Sequence, residues 1–542
     1  MRILIAYLIL GIFIMIFACV SYRSALTESL TYDEPVHISE GLSHLNDQRF
    51  MVDVVNPPLI RELAAIPLYL KYQKLAADEI TAHTALPARM AIIFTGALLL
   101  YLIFLWASRI YGAQTALLAV FLSVINPLFL AYSHYVTLDF GFMALFFLWY
   151  AVFINYLIQP QLIRVLALGF VSGWLLAAKA TALTYALPTA VVTVAYYTRN
   201  NLVKFLKNQS GIMLLLLFVA MITVWSSYFF SFSTIIAPGE RPGRLSARLY
   251  QQASAGNNIF IIKGIEFLKS TKLPLGGYLE MLKNAFIYSK NQNQLSYFLG
   301  KYYSQPRWYF MTVNFFLKIP IIIILFLGLS VLLLVRDRAY RQNSLPFLWP
   351  ILIILGYSAL FPLTPRVRYV LPILPFISVL AASAFSYIYR TTRQTVFKLL
   401  LLSGLVISAW SVAASYPHFI TYTNELIPHT SRFMYMDDSN LDWGQGLVTL
   451  ANYVSQTKPQ ALFLSYFGRD NADNYGFVSD SRWSSFRADE ICQFHSVRYP
   501  DYFSKVLVII SVSNWHYCGY MNDPTYHSRN IKQVVADSYL VF

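Results

Sequence analysis

The chain has 542 residues, 57% of them hydrophobic and only 12% charged, with a mean hydropathy of +0.52. This excludes an ordinary soluble globular protein and indicates a polytopic membrane protein, since each crossing needs about 20 mostly apolar residues. The net charge of +15 fits basic cytoplasmic loops and contacts with membrane lipids better than nucleic acid, and three cysteines exclude a disulfide framework or a metal-type spacing.

Residues 3–20 are apolar behind a single Arg2 and show no small-residue cleavage site, so they read as an uncleaved first span with its N-terminus inside. The stretch from 21 to 86 is too polar to cross and carries two expected surface-lying helices, near 34–46 and 57–75. Pro57-Pro58 suits the start of the second. Further apolar runs fall near 88–107, 113–131, 138–158, 163–178, 181–197, 211–231, 312–335, 346–363, 369–389 and 396–414, giving roughly eleven spans in all. Alternate loops hold Arg109, Arg164, Arg199, Lys204, Lys207, Arg336, Arg338, Arg341, Arg390, Arg393 and Lys398, which makes that set cytoplasmic. The loop containing Asp33, the turn at Asp139, the long loop 232–311 and the tail from about 415 then face outward. The expected location is the plasma (inner) membrane, with a cytoplasmic N-terminus and an extracytoplasmic C-terminal domain.

The tail loses long apolar runs. Ala461–Tyr466 and Lys505–Ile510 read as short buried strands and Leu447–Val454 as a helix, so the expected organisation is a transmembrane part over 1–414 and a small α/β domain over 415–542. Cys492 and Cys518 are placed to pair if that domain is extracytoplasmic.

The chemistry-bearing positions gather on the outward side. Thr31-Tyr32-Asp33-Glu34-Pro35-Val36-His37 follows the first span, and its two acids are the leading catalytic candidates. Their plain alternative is a helix cap. Asp139, opening an otherwise apolar span, is a third candidate, because an acid there is costly unless it is paired or faces a cavity; N-terminal capping is again the alternative. Arg89, Lys179, Arg366 and Arg368 also lie at outward span ends. Fixed cations there would stabilise a departing phosphate, and for each one alone snorkelling to headgroups is the bland reading. His37 lies one turn past Asp33 and would orient a substrate hydroxyl, with an ordinary surface histidine as its alternative. There is no Walker loop, no GxGxxG, no serine elbow and no cluster of His or Cys ligands, so no cofactor is expected.

These residues resemble the first outer loop of glycosyltransferase family 39, which contains protein O-mannosyltransferases and has the lipid A aminoarabinose transferases as close relatives. The resemblance is carried by Asp33-Glu34-Pro35 with His37 and Gly41, by Asn56-Pro57-Pro58-Leu59 and by Ala88-Arg89. It continues through Asp139, Lys179, Phe298-Leu299-Gly300 to Lys318-Ile319-Pro320, and Arg368-Tyr369-Val370-Leu371-Pro372. The stretch Asp438-Ser439-Asn440-Leu441-Asp442-Trp443-Gly444-Gln445 is similar to one in bacterial members with an outer C-terminal domain. The resemblance implies the multispan GT-C fold and transfer of a hexose or pentose from a polyprenyl-phosphate carrier to a protein, lipid or glycan acceptor. It also implies that Asp33 meets the acceptor hydroxyl and that Arg89 lies near the lipid phosphate. His37 and Asn56 are expected on the acceptor side. Asn56 stands where aminoarabinose transferases carry a lysine, so lipid A does not carry over as the acceptor. The readings from other classes are a transporter or flippase of a lipid-linked sugar, which would place its charges at mid-membrane, and a membrane scaffold or sensor.

Overall fold

A segment crossing hydrocarbon has to satisfy its own backbone, so apolar runs of this length should be helices. In the computed structural model each of the apolar runs is helical. The structure describes residues 2–48, 55–73, 75–76, 79–198, 210–236, 259–290, 296–361, 364, 366–459, 461–477, 492, 495–498 and 506–542. Among these, six helices are long and apolar enough to span: Ile3–Thr27, Leu86–Tyr111, Leu138–Ile158, Arg338–Leu360, Val367–Thr391 and Thr395–Ala413. A seventh span arises if Phe310–Leu317 and Ile321–Arg336 count as one, bent by 119°. The bend falls at Lys318-Ile319-Pro320, where proline lacks the N–H that would continue the ladder. The remaining runs form shorter helices, Ala113–Val124, Leu162–Leu176, Ala182–Thr198 and Ser210–Ser226. The run at 113–131 is broken because Asn126 caps a new helix, its Oδ1 accepting from Leu128 N at 3.0 Å and Phe129 N at 3.3 Å, with Pro127 in the first turn. Arg199, Lys204 and Lys207 lie outside the described residues.

The chain divides into two compact units: Met1–Ser39, Leu70–Ala144 and Gln294–Phe542 form one, and Glu40–Tyr69 and Leu145–Asn293 the other. In the first, Val367–Thr391 is the central span, 83% buried, whereas Ile3–Thr27 and Thr395–Ala413 are only 17% buried and turn most of their apolar side chains outward. Gly96 brings the Leu86–Tyr111 helix tightly against the first span, since a Cβ there would come within 2.4 Å of the Phe17 ring.

In the second unit, Leu162–Leu176 packs on Ser210–Ser226 through Gly169 and Gly173. A Cβ on Gly173 would meet Thr223 at 2.4 Å and the Ala220 carbonyl at 2.6 Å, the close backbone approach that small residues allow between membrane helices. The two expected surface-lying helices are Glu34–Asp47 and Leu59–Tyr72. Gly41 sits against Arg61 O and Ala65 of the latter.

The tail carries a five-stranded sheet in the order His495–Arg498, Ala461–Ser465, Val506–Ser511, Tyr539–Val541, Gln533–Val535. Ala461–Ser465 runs parallel to Val506–Ser511; the other pairings are antiparallel. Side chains alternate along Ala461–Ser465 and from Leu507 to Ser511. Leu462, Leu464 and Ile509 pack with Leu447, Leu450 and Val454 of the Leu447–Thr457 helix, while Ile510 and Leu540 join Phe433, Met436 and Trp515 in another core cluster. Lys505 lies outside the described residues, and the strand begins at Val506. Cys492 and Cys518 form a disulfide.

Candidate functional site

The loop after the first span is built around Glu34 and Arg89. Thr31 and Glu34 have the spacing of a helix capping box, and Glu34 Oε2 accepts from Thr31 N at 2.8 Å. Arg89 donates to both oxygens of the same carboxylate, from Nε at 2.9 Å and from Nη2 at 2.7 Å. Its other donors go to the carbonyls of Ala25 at 2.8 Å, Glu28 at 2.9 Å and Ser29 at 2.8 Å. A guanidinium has five N–H groups, and all of them are engaged here. Both side chains are fully buried, and Val136 N adds a 3.0 Å bond to Glu34 Oε1. This arrangement holds the loop and leaves Arg89 no donor for a phosphate.

A second buried cluster lies at the start of the loop. Glu28 receives His134 Nε2 at 2.7 Å on one oxygen and His418 Nδ1 at 2.9 Å on the other, and His418 continues to Thr449 at 2.9 Å. Burial would raise the Glu28 carboxyl, but the two imidazoles hold it down to about 2.

Asp33 is the partly open member. Its Oδ2 accepts from Arg368 Nη1 at 2.5 Å, with side chains 27% and 13% exposed. Burial pushes the carboxyl up, but Arg368, His37 and Arg366 overcome this and bring it to about 2. Arg368 lies 4.9 Å above the ring of Trp443, and the charges of Asp139 and Asp438 also act on it. Its Nε is buried and has no hydrogen-bond partner among the described residues. Arg366 pairs with Asp438 at 2.9 Å. Two arginines therefore stand among three acids.

The tail forms the opposite wall. Ser29 N donates to Gln445 O at 3.0 Å and Tyr32 N to Trp443 O at 2.8 Å. Ser29 Oγ donates to Gly444 O at 2.7 Å, and Leu30 N to the Asp470 carboxylate at 2.8 Å. Val367 N donates to Asn440 Oδ1 at 2.9 Å. The stretch Asp438–Gln445 thus touches both the Asp33 loop and the Arg366–Arg368 segment.

Asp33, Glu34, Arg89, Asp139, Arg366 and Arg368 all fall in the first unit, with Asp139 buried in the first turn of its helix. His37 is 8% exposed and its charge reaches Asp33, so it is not a surface histidine. Lys179, buried, and Asn56, half-buried, belong to the second unit. Sequence reasoning missed Glu28, His134 and His418. Their contacts span 106 and 390 residues, and only the location of Glu28 just after a span hinted at a role.

The low values of Glu28 and Asp33 set an acid limit on stability. Both carboxyls have folded values below their ordinary ones, so their contribution is complete above about pH 5 and is lost as pH falls toward 2. Asp437, raised to about 8 by burial and by Asp438, and Asp442, raised to about 7 chiefly by burial, act oppositely: their contribution fades as pH rises from about 4 through those values. Thermal unfolding in detergent should therefore show a falling Tm below pH 5, and Glu28→Gln should flatten that acid limb. An unchanged limb in the variant would contradict the assignment.

No protein-family model matches the chain, and no curated protein does. Solved structures do. The crystal structure of ArnT from Cupriavidus metallidurans in the apo state is similar over 78% of this chain and 67% of that one, with a TM-score of 0.50 and 15% identity. The same protein bound to undecaprenyl phosphate is similar over 83% and 71%, with a TM-score of 0.48 and 13% identity. The Archaeoglobus fulgidus oligosaccharyltransferase in the apo form is similar over 76% of this chain but 55% of its own length, with a TM-score of 0.44 and 12% identity. The fold is therefore of the GT-C kind: a polytopic helical membrane protein with a small C-terminal domain. At this identity the likeness is one of fold.

Proposed function

We infer that this chain is an integral membrane glycosyltransferase that moves a sugar from a polyprenyl-phosphate carrier to an acceptor on the extracytoplasmic face, with inversion. The observation that carries this is the Asp33–Arg368 pair, with Asp139 and Arg366–Asp438 around it, at the ends of apolar helices. Arg368 and Arg366, whose side chains are 13% and 20% exposed, would hold the donor phosphate. The acceptor oxygen attacks C1 as the C1–O bond to phosphate breaks, and the polyprenyl phosphate leaves with the electron pair. A carboxyl held near 2 is a weak proton acceptor. Asp33 therefore serves chiefly to orient the acceptor hydroxyl, and the departing phosphate, with a second pKa of about 6, takes the proton. Arg89 and Glu34 act by positioning the loop. His37 and Asp139 are proposed as acceptor-side groups. Residues 1–414 would form the transmembrane part and 415–542 the extracytoplasmic part; the Cys492–Cys518 disulfide suits an oxidising compartment.

The reading also draws on the GT-C fold shared with ArnT. Its direct test is to incubate purified protein with undecaprenyl-phosphate sugars and an extract of acceptors. Sugar-dependent release of free undecaprenyl phosphate supports it, and movement of intact donor across vesicles without release would favour a flippase. Topology is checked separately: a reporter fused after Phe542 should be extracytoplasmic and one fused near Lys204 cytoplasmic. Both reporting the same side would overturn the span count.

A further inference from the structure

Beside Arg366 stands an aromatic ring that the chemistry above does not use. Tyr517 ends the Val512–Tyr517 helix, and its hydroxyl donates at 3.1 Å to Asp438, the acid that also holds Arg366. Phe467 stacks on Tyr517 with ring centres 5.9 Å apart and planes inclined by 27°. Tyr32, the neighbour of Asp33, stacks on Phe467 at 5.0 Å and 13°, and the Arg469 guanidinium caps Tyr32 at 4.2 Å. An aromatic row thus runs from the Asp33 loop to Tyr517. Phe467 is 6% exposed, whereas Tyr517 is 41% exposed. The open ring is held by its hydroxyl, by its stacked neighbour and by the adjoining Cys518–Cys492 bond.

A rigid tyrosine with an apolar face and a polar rim matches the C–H face of a sugar ring. Its placement selects which sugar. The ring shares Asp438 with Arg366, a cation assigned to the donor phosphate, and the donor's C1 is bonded to an oxygen of that phosphate. We propose that Tyr517 is the platform on which the sugar ring of the lipid-linked donor stacks. This rests on the glycosyltransferase reading and adds a tail residue to the donor subsite.

The test uses the full-length protein in detergent and two probes: undecaprenyl phosphate alone, and undecaprenyl phosphate carrying glucose or mannose. The wild type should bind a sugar-bearing lipid more tightly than the bare one. Tyr517→Ala should lose roughly tenfold of that preference while binding bare lipid as before, and Tyr517→Phe, which keeps the ring and drops the hydroxyl, should retain it. Weakening of both lipids alike by Tyr517→Ala would mean that the residue only supports Arg366, and would overturn the proposal. So would an unchanged preference in Tyr517→Ala, or equal binding of both probes by the wild type, and in either case the glycosyltransferase reading would stand. If the folded wild type binds neither lipid, that reading falls and the platform with it.

Discussion

Asp33→Asn should lower turnover by about 10²-fold, the order expected when the group that orients a nucleophile is lost, while donor binding stays equal or improves. The second half follows from the ion pair. Asp33 occupies one arm of Arg368 at 2.5 Å, so the carboxylate competes with any phosphate for that guanidinium. Asparagine keeps the size and removes the competing charge. The resulting signature is slow single-turnover chemistry with donor affinity at or above that of the wild type, and it separates a role in the reaction from a role in donor capture. A folded variant with near-normal turnover would remove Asp33 from the chemistry. Asp139 would then be the candidate, because both carboxylate oxygens of Glu34 are engaged by Arg89 and backbone N–H groups.

The two arginines once expected to share a job should diverge. Arg89→Ala leaves a buried carboxylate without its counter-charge and three carbonyls without a donor, so a loss of about 3–5 kcal/mol of stability is expected. Activity and donor binding should then fail together as the loop loosens. Arg89→Lys should not rescue it, because an ammonium cannot reproduce five donors in a planar fork. Arg368→Ala also strips Asp33 of its main counter-charge, so it should lower stability too, but by less than Arg89→Ala, because Asp33 is 27% exposed and His37 and Arg366 still face it. Its larger effect should be to weaken donor binding by about 2–5 kcal/mol, as when one partner of a buried charge contact is removed. Comparing Tm with affinity for undecaprenyl phosphate in both variants decides the matter. A well-folded Arg89→Ala with selectively weakened lipid binding would restore the direct phosphate contact that the sequence implied.

The parts of the fold legible in the sequence were those governed by local physics. The apolar runs became helices, those at 113–131 and 312–335 each broken into two, because hydrocarbon leaves the backbone no other partner. The two tail strands that were anticipated, around Leu462–Leu464 and Leu507–Ile509, are rich in buried apolar residues. The strands Gln533–Val535 and Tyr539–Val541 are three residues each, too short for a period to register. The site was legible as a set of charges but not as a set of partnerships. Asp33 and Arg368 are 335 residues apart, and Arg89 and Glu34 are separated by 55. Nothing in spacing reveals that one arginine is wholly engaged inside the fold while the other remains partly exposed. The Asp438–Gln445 stretch stood out only by resemblance, because a turn whose carbonyls accept hydrogen bonds from a loop some 400 residues away has no sequence signature.

That last contact has a consequence for how the protein is made. The loop bearing Asp33 emerges early from the ribosome, yet the carbonyls of Trp443, Gly444 and Gln445 that receive its N–H and hydroxyl groups come more than 400 residues later. At ordinary synthesis rates of about 5–20 residues per second, that is a delay of roughly 20–80 s. Throughout it the first loop has no wall to fold against, and a chain halted short of 437 should present it to added protease, whereas the completed chain should not. Protection of the loop in such a halted chain would refute this order of events. A ribosome-bound fragment would thus carry Asp33, Asp139 and both arginines of the site without Asp438 or the means to align them, and chemical competence would arrive only with the final quarter of translation.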